Sequence, residues 1–137
     1  MIAVLDASAF GPILLAEEAG RVLPGLSAAL ADEGMAVPAH WQIEVANLLL
    51  MAVRRGRLPP EEAEQAFRTF EAVRIEIDVS PLDRVIGETW VIAERHMLTM
   101  YDAGYLELAI RLDLPLATHD AALIRAAKAE SLPLFGQ

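Results

Sequence analysis

The chain has 137 residues, 55% of them hydrophobic and 23% charged, with 20 Asp and Glu against 11 Lys and Arg and a formal net charge of −9. This composition fits one globular domain spanning residues 1–137 and excludes a disordered chain, and the lack of cysteine removes disulfides, thiolate catalysis and Cys-based zinc sites together. An acidic chain does not hold nucleic acid through a basic surface, although a cation bound by its acids reverses the charge locally.

Taken in chain order, "IAVL" (residues 2–5) is a short apolar run ended by Asp6, which suits a buried strand. "PILLAEEAG" predicts a short helix with Pro12 near its first position, and "LPGLSAALADEG" a second one stopped by Gly34. "MAVP" predicts a brief strand. "AHWQIEVANLLLMAVRRGRLPP" is a strong helix signal with cations in its last turn, Gly56 beyond it and Pro59-Pro60 as the break. "PEEAEQAFRTFEAV" predicts the next helix and "RIEIDVS" a strand with one covered face. "PLDRVIGETWVIAERHM" and "AGYLELAIRL" predict helices, "LPLAT" a buried strand, "AALIRAAKAE" a helix and "LPLF" a final edge strand. The alternation predicts an α/β fold, a three-layer α/β/α sandwich with a mostly parallel central sheet. The longest uninterrupted apolar run, residues 48–53, is far short of a bilayer span, and "MIAVLDAS" lacks the basic start of a signal peptide, so a cytoplasmic location without membrane contact is expected.

Ligands of such sheets bind beyond the carboxyl ends of the strands, so acids at those ends matter most. Asp6 ends the first strand, Asp120 follows "LPLAT", and Asp102 opens the helix of "YDAGYLELA"; singly, each reads as a helix cap. Glu44 lies inside a helix, on the stripe of Trp41, Leu48 and Met51. If the four converge, neighbouring charges about 4 Å apart repel by about 4 kcal/mol per pair at an effective dielectric near 20. A hard cation such as Mg2+ or Mn2+ relieves that repulsion with carboxylate and water oxygens and requires no His or Cys. Ser8 and Thr118, two residues after Asp6 and two before Asp120, are placed to hydrogen-bond a carboxylate or a bound water, or to act only as a local cap and a strand residue.

These segments resemble the PIN-domain ribonucleases, and among them the VapC-type toxins of VapBC toxin–antitoxin systems. The resemblance rests on "VLDASA", "EVANLLL", "RRGRLPPEEAEQAF", "YDAGYLELA" and "LATHDAAL", in that order over nearly the whole chain. It implies a Mg2+- or Mn2+-dependent endoribonuclease with the acidic quartet Asp6, Glu44, Asp102 and Asp120 as catalytic and metal-binding residues. Asp6 and Asp102 are expected to bind the ion directly, then Glu44, with Asp120 acting through water. It also implies an RNA substrate, a VapB-like antitoxin and a homodimer. The departure is "FGPILLAEE", where Gly11 and Pro12 interrupt what is commonly a continuous helix.

Arg54, Arg55 and Arg57 form the only dense basic patch and suit an RNA backbone, although cations in a last helical turn also offset the helix dipole. His119 reads as a solvated loop residue, His40 and His96 lack metal-site spacing, and Trp41, Trp90 and Tyr105 read as core or interface. A PIN-like module whose main role is partner binding and a PIN ribonuclease outside toxin–antitoxin systems are the alternatives. An aspartyl phosphatase is disfavoured by Ser8 where a second acid belongs, and a receiver domain by the position of Lys128, the one lysine, within a helix pattern.

Overall fold

A computed structural model describes residues 1–137. Strands β1 (Val4–Leu5), β2 (Met35–Pro38), β3 (Ile75–Asp78) and β4 (Leu116–Ala117) form one sheet in the order β3-β2-β1-β4, and every pairing is parallel. Val4 pairs with Ala36 on one side and Leu116 on the other. The first two crossovers step outward from β1 on one side, while β4 returns to the other, so the chain reverses direction between β1 and β4. Such a reversal opens a crevice above the carboxyl ends of the two strands.

The helices fall into two contacting sets. On one side α1 (Ala7–Leu14) packs on α3 (Trp41–Arg54) and α4 (Pro60–Ala72), with α2 (Leu26–Asp32) preceding β2. On the other, α7 (Met100–Leu112) lies against β1, β2 and β4 and packs on α6 (Trp90–His96) and α8 (Ala121–Ala129). The sheet between them is apolar on both faces: Val4, Leu5, Met35, Val37, Leu116 and Ala117 have no exposed surface. They belong to one cluster of 34 buried hydrophobic residues that includes Phe10, Trp41 and Tyr105. No helix is long and apolar enough to cross a membrane.

Four elements differ from the sequence reading. The first helix begins at Ala7, directly after Asp6, and contains Pro12 rather than starting at it; a 3-10 turn, Ala16–Arg21, follows. Pro12 removes only one backbone bond from a helix whose end is already close, and Phe10, Gly11 and Pro12 are buried, so packing outweighs the break. The segment after Pro81 is not one regular helix but α5 (Leu82–Arg84), a π turn at Val85–Thr89, and α6. The end of the chain contributes a single bridge, Leu116 with Leu134, rather than a strand. The buried stripe of α3 is Trp41, Val45, Leu49 and Ala52, which places Glu44 on its flank beside the 39% exposed Leu48.

Gly34 closes α2 with φ +90, and a Cβ there would lie 2.9 Å from Met1 Cε and 3.3 Å from the Arg74 carbonyl oxygen. Gly34→Ala is expected to lower stability by about 1–3 kcal/mol, read as a drop in thermal midpoint, because the left-handed backbone and the crowded carbonyl both oppose a side chain. An unchanged midpoint would show that this turn relaxes freely.

Candidate active site

Four helices present their N-terminal ends to the crevice, and each carries one of the four acids. Asp6 is the N-cap residue of α1, Glu44 and Asp102 lie in the first turns of α3 and α7, and Asp120 is the N-cap residue of α8. The partial positive charge of a helix start offsets part of the repulsion among carboxylates gathered there. All four line one cleft of about 260 Å3, together with Ser8, Asn47 and Leu48.

Their surroundings differ. Asp6 is only 4% exposed, and its side chain makes no capping bond; its Oδ2 instead accepts from Ser8 Oγ at 2.6 Å and Thr118 Oγ1 at 2.7 Å. Each hydroxyl also accepts a backbone N–H, Ser8 from His119 at 3.0 Å and Thr118 from Asp120 at 2.9 Å. With both hydroxyl protons committed to Asp6, the 3.3 Å approach of Ser8 to Thr118 carries no hydrogen bond of its own. This network ties the end of β1 to the loop after β4 across the crevice.

Glu44 Oε1 accepts from Tyr105 Oη at 2.9 Å, and Asp120 Oδ2 accepts from the Leu123 N–H at 2.9 Å. Asp102 does not cap its helix: Thr99 does, accepting the Asp102 N–H at 3.2 Å. The Asp102 carboxylate is therefore left without a backbone duty. No side chain donates to Asp6 Oδ1, Glu44 Oε2 or Asp120 Oδ1, and Asp102 has only the Thr99 hydroxyl beside it, while the only fully buried side-chain polar atom without a partner is Trp41 Nε1. The free oxygens thus open to the cleft.

Burial, then the Asp120, Asp6 and Glu44 charges, push the Asp102 carboxyl up to about 6. Asp6 is raised by burial and, less, by Asp120, against the two hydroxyl bonds that favour its charged form. Glu44 is raised by burial despite the Tyr105 bond. Tyr105, fully buried, is driven well above the ordinary phenol range by burial and by Glu44, so its proton stays on the bond to Glu44. Three neighbouring carboxylates, Asp6, Glu44 and Asp102, that resist ionisation lack a positive charge beside them. The free donors are all oxygens, which suit a hard cation. No three His, Cys, Asp or Glu side chains close into a finished coordination set, as a structural zinc site would require. The chemistry fits an ion that keeps much of its water.

Other sequence expectations divide. Ser8 and Thr118 both serve Asp6. Arg57 bonds Glu17 at 2.6 Å and lies 3.6 Å from Glu18, while Arg54 and Arg55 are exposed at the far end of α3 from Glu44, about 15 Å along ten residues of helix. That basic patch does not line the cleft. His119 is not a free loop residue, since its Nε2–H donates to the Arg21 carbonyl at 2.7 Å. Trp41 is core, packed on Phe10 and Phe70, whereas Trp90 is 51% exposed. Tyr105 is core by its ring but site by its hydroxyl, which sequence reading missed; so was Asn47, one turn after Glu44.

Residues 3–129 match the PIN domain family. The chain belongs to the PIN domain family. This PIN domain is 32% identical over 123 residues to ribonuclease VapC1 of Mycobacterium tuberculosis, an alignment covering 90% of this chain and 89% of the relative. It is 31% identical over 125 residues to ribonuclease VapC3 of Pyrobaculum aerophilum, covering 88% and 90%. Among solved structures it resembles the crystal structure of PAE2754 from Pyrobaculum aerophilum, with TM-score 0.67 and 26% identity over 92% of this chain and 79% of that one.

Proposed function

We propose that the PIN domain, as one catalytic unit over residues 1–137, is a metal-dependent endoribonuclease and the toxin of a toxin–antitoxin pair. The observation that carries this reading is the single cleft into which four helix starts deliver four carboxylates, each with a free oxygen. The kinship with two named VapC ribonucleases supports the choice of RNA as substrate.

Asp6 and Asp102 would hold a divalent ion, Mg2+ or Mn2+, directly, with Glu44 next and Asp120 through water. Bound there, the ion supplies positive charge for the scissile phosphate and acidifies a water. The chain's own residues do the positioning. Ser8 and Thr118 fix Asp6 through Oδ2 and leave Oδ1 to the site; Tyr105 fixes Glu44 through Oε1 and leaves Oε2. Water adds to phosphorus, the bond to the 3′ oxygen breaks, and that oxygen takes up a proton, leaving a 3′-hydroxyl and a 5′-phosphate. The test is cleavage of RNA in Mn2+ with and without EDTA, beside Asp6→Asn and Asp102→Asn; equal cleavage in all arms would sink the nuclease reading.

Tyr105→Phe removes the hydroxyl that favours ionised Glu44. Cleavage is expected to fall about 10-fold or more, with the acidic limb of the pH–rate profile moved upward. A profile of unchanged shape would show that Tyr105 acts only in packing.

The second reading, a partner-binding module, is favoured by one feature: Ile43, Leu50 and Phe67 on α3 and α4 and Leu82, Ile86 and Trp90 beyond β3 are exposed. In the toxin reading these surfaces serve a VapB-like antitoxin and a second copy of the chain in a homodimer, in the cytoplasm.

A further inference from the structure

Beside the acid cleft lies a second cavity, of about 300 Å3, at the carboxyl ends of β2 and β3 and the start of α7. The two meet at His40 and at the Tyr101–Asp102 step of the chain. His40 lines the second cavity, and its Nε2 lies 3.4 Å from Glu44 Oε1 in the first. Tyr101, which also lines the second cavity, immediately precedes Asp102 in the first.

The character of this cavity is the opposite of the cleft's. Its one carboxylate, Asp78, is held by both terminal nitrogens of Arg111, at 3.2 and 2.7 Å. His40 Nε2–H donates to the Tyr101 carbonyl at 2.9 Å, which leaves its Nδ1 without a protein partner. Tyr101 is 63% exposed and Val79 74%, and with Met100 they make an apolar surface around an aromatic ring held edge-to-face on His40. At the other side stands Thr89, whose residue is only 5% exposed yet whose hydroxyl makes no protein hydrogen bond, although it is not among the fully buried unpartnered atoms. A buried residue whose unpartnered hydroxyl opens onto a cavity is a recognition group in waiting. It is placed there by the π turn Val85–Thr89, both ends of which line the cavity; such turns in helices recur at functional sites.

We propose that this cavity takes a nucleobase of the RNA strand, that of a nucleotide adjoining the scissile phosphate, stacked on Tyr101 with its polar edge toward Thr89 and the His40 Nδ1. An uncharged planar ring with polar edges matches an apolar, aromatic slot whose one carboxylate is already paired, whereas the phosphate belongs in the neighbouring site with the cation. The inference rests on the ribonuclease reading for its substrate, but the cavity's chemistry is independent of catalysis.

Two measurements separate them. Uncharged nucleosides, one base at a time, are titrated into the isotope-labelled protein without metal; backbone shifts at Ser80, Thr89 and Tyr101, absent in Tyr101→Ala and weakened in Thr89→Val, are the expected result. Single-turnover cleavage is then measured on short single-stranded RNAs carrying one abasic position at a time. One position should lower the rate about fivefold to 100-fold; Tyr101→Ala should lose as much on intact RNA and be indifferent to that position, while Tyr101→Phe stays near wild type. Nucleoside shifts without any cleavage would keep the base site and overturn the nuclease reading. Cleavage with no nucleoside shifts and no abasic-sensitive position would overturn the base site, including where the cavity instead seats an apolar side chain of a protein partner.

Discussion

Asp102→Asn is expected to abolish metal-supported RNA cleavage, by more than about 100-fold, and at the same time to make the metal-free protein more stable at pH 7. Both effects follow from one arrangement. Thr99, not Asp102, satisfies the start of α7, so removing the Asp102 charge leaves the helix cap intact. What disappears is an anion that burial and three carboxylates disfavour. With solvent screening allowed for, the relief is about 1 kcal/mol, roughly 3 °C in thermal midpoint for a chain of this size. A variant that is inactive and less stable than wild type in EDTA would mean that Asp102 is structural.

The pH dependence of that difference is the second large effect. The folded Asp102 pKa of about 6 stands above the ordinary 3.8, so the folded state binds the proton more tightly than the unfolded one. Its contribution is fully present below about pH 4 and is lost as pH rises through about 6. Asp6 and Glu44 shift in the same direction. His40 works oppositely: its lowered pKa costs stability at acid pH, where the unfolded imidazole is protonated and the buried one resists. Wild type minus Asp102→Asn, measured in EDTA from pH 4 to 8, removes the burial part of the His40 contribution and leaves the carboxyl together with the smaller part of the His40 shift that the Asp102 charge supplies. Wild type should match the variant near pH 4 and fall below it by pH 7.

Mn2+ should reverse that order at pH 7, since a ligand bound only by the folded state at a hundred times its Kd adds about 2.7 kcal/mol. The gain should shrink toward pH 5, where protons compete for the same oxygens, and should be smaller in Asp102→Asn. A midpoint indifferent to Mn2+ at neutral pH would count against a cation site in the cleft.

Much of this molecule is legible from short stretches of chain. "MAVP", the long helix from Trp41 to its end before Gly56, and the helix opening at Pro60 all stand where local pattern puts them, because strand and helix periods and Pro or Gly stops act within a few residues. The acids at the ends of β1 and β4 were equally visible, since an apolar run that stops at Asp is a local signal. The π turn was not, because its interruption of "PLDRVIGETWVIAERHM" sits inside a continuous helical pattern with only Gly87 to mark it. Nor was the flank position of Glu44, which depends on which side of α3 the sheet and α1 cover.

The α/β alternation, the parallel sheet and the acids Asp6, Asp102 and Asp120 at strand ends and helix openings are written in local pattern. Their surroundings, and those of Glu44, are set by tertiary contacts. Thr118 reaches Asp6 across 112 residues and Tyr105 reaches Glu44 across 61, contacts that exist only because β4 returns beside β1 and α7 lies over the sheet. The fold also withdrew Arg57 into an ion pair with Glu17, freed Asp102 from capping and set His40, which lines the second cavity, against Glu44 of the acid cleft. Backbone propensity is a short-range property, whereas the state of a carboxylate depends on whatever donors and charges lie within a few ångströms, and the chain's crossovers choose those neighbours.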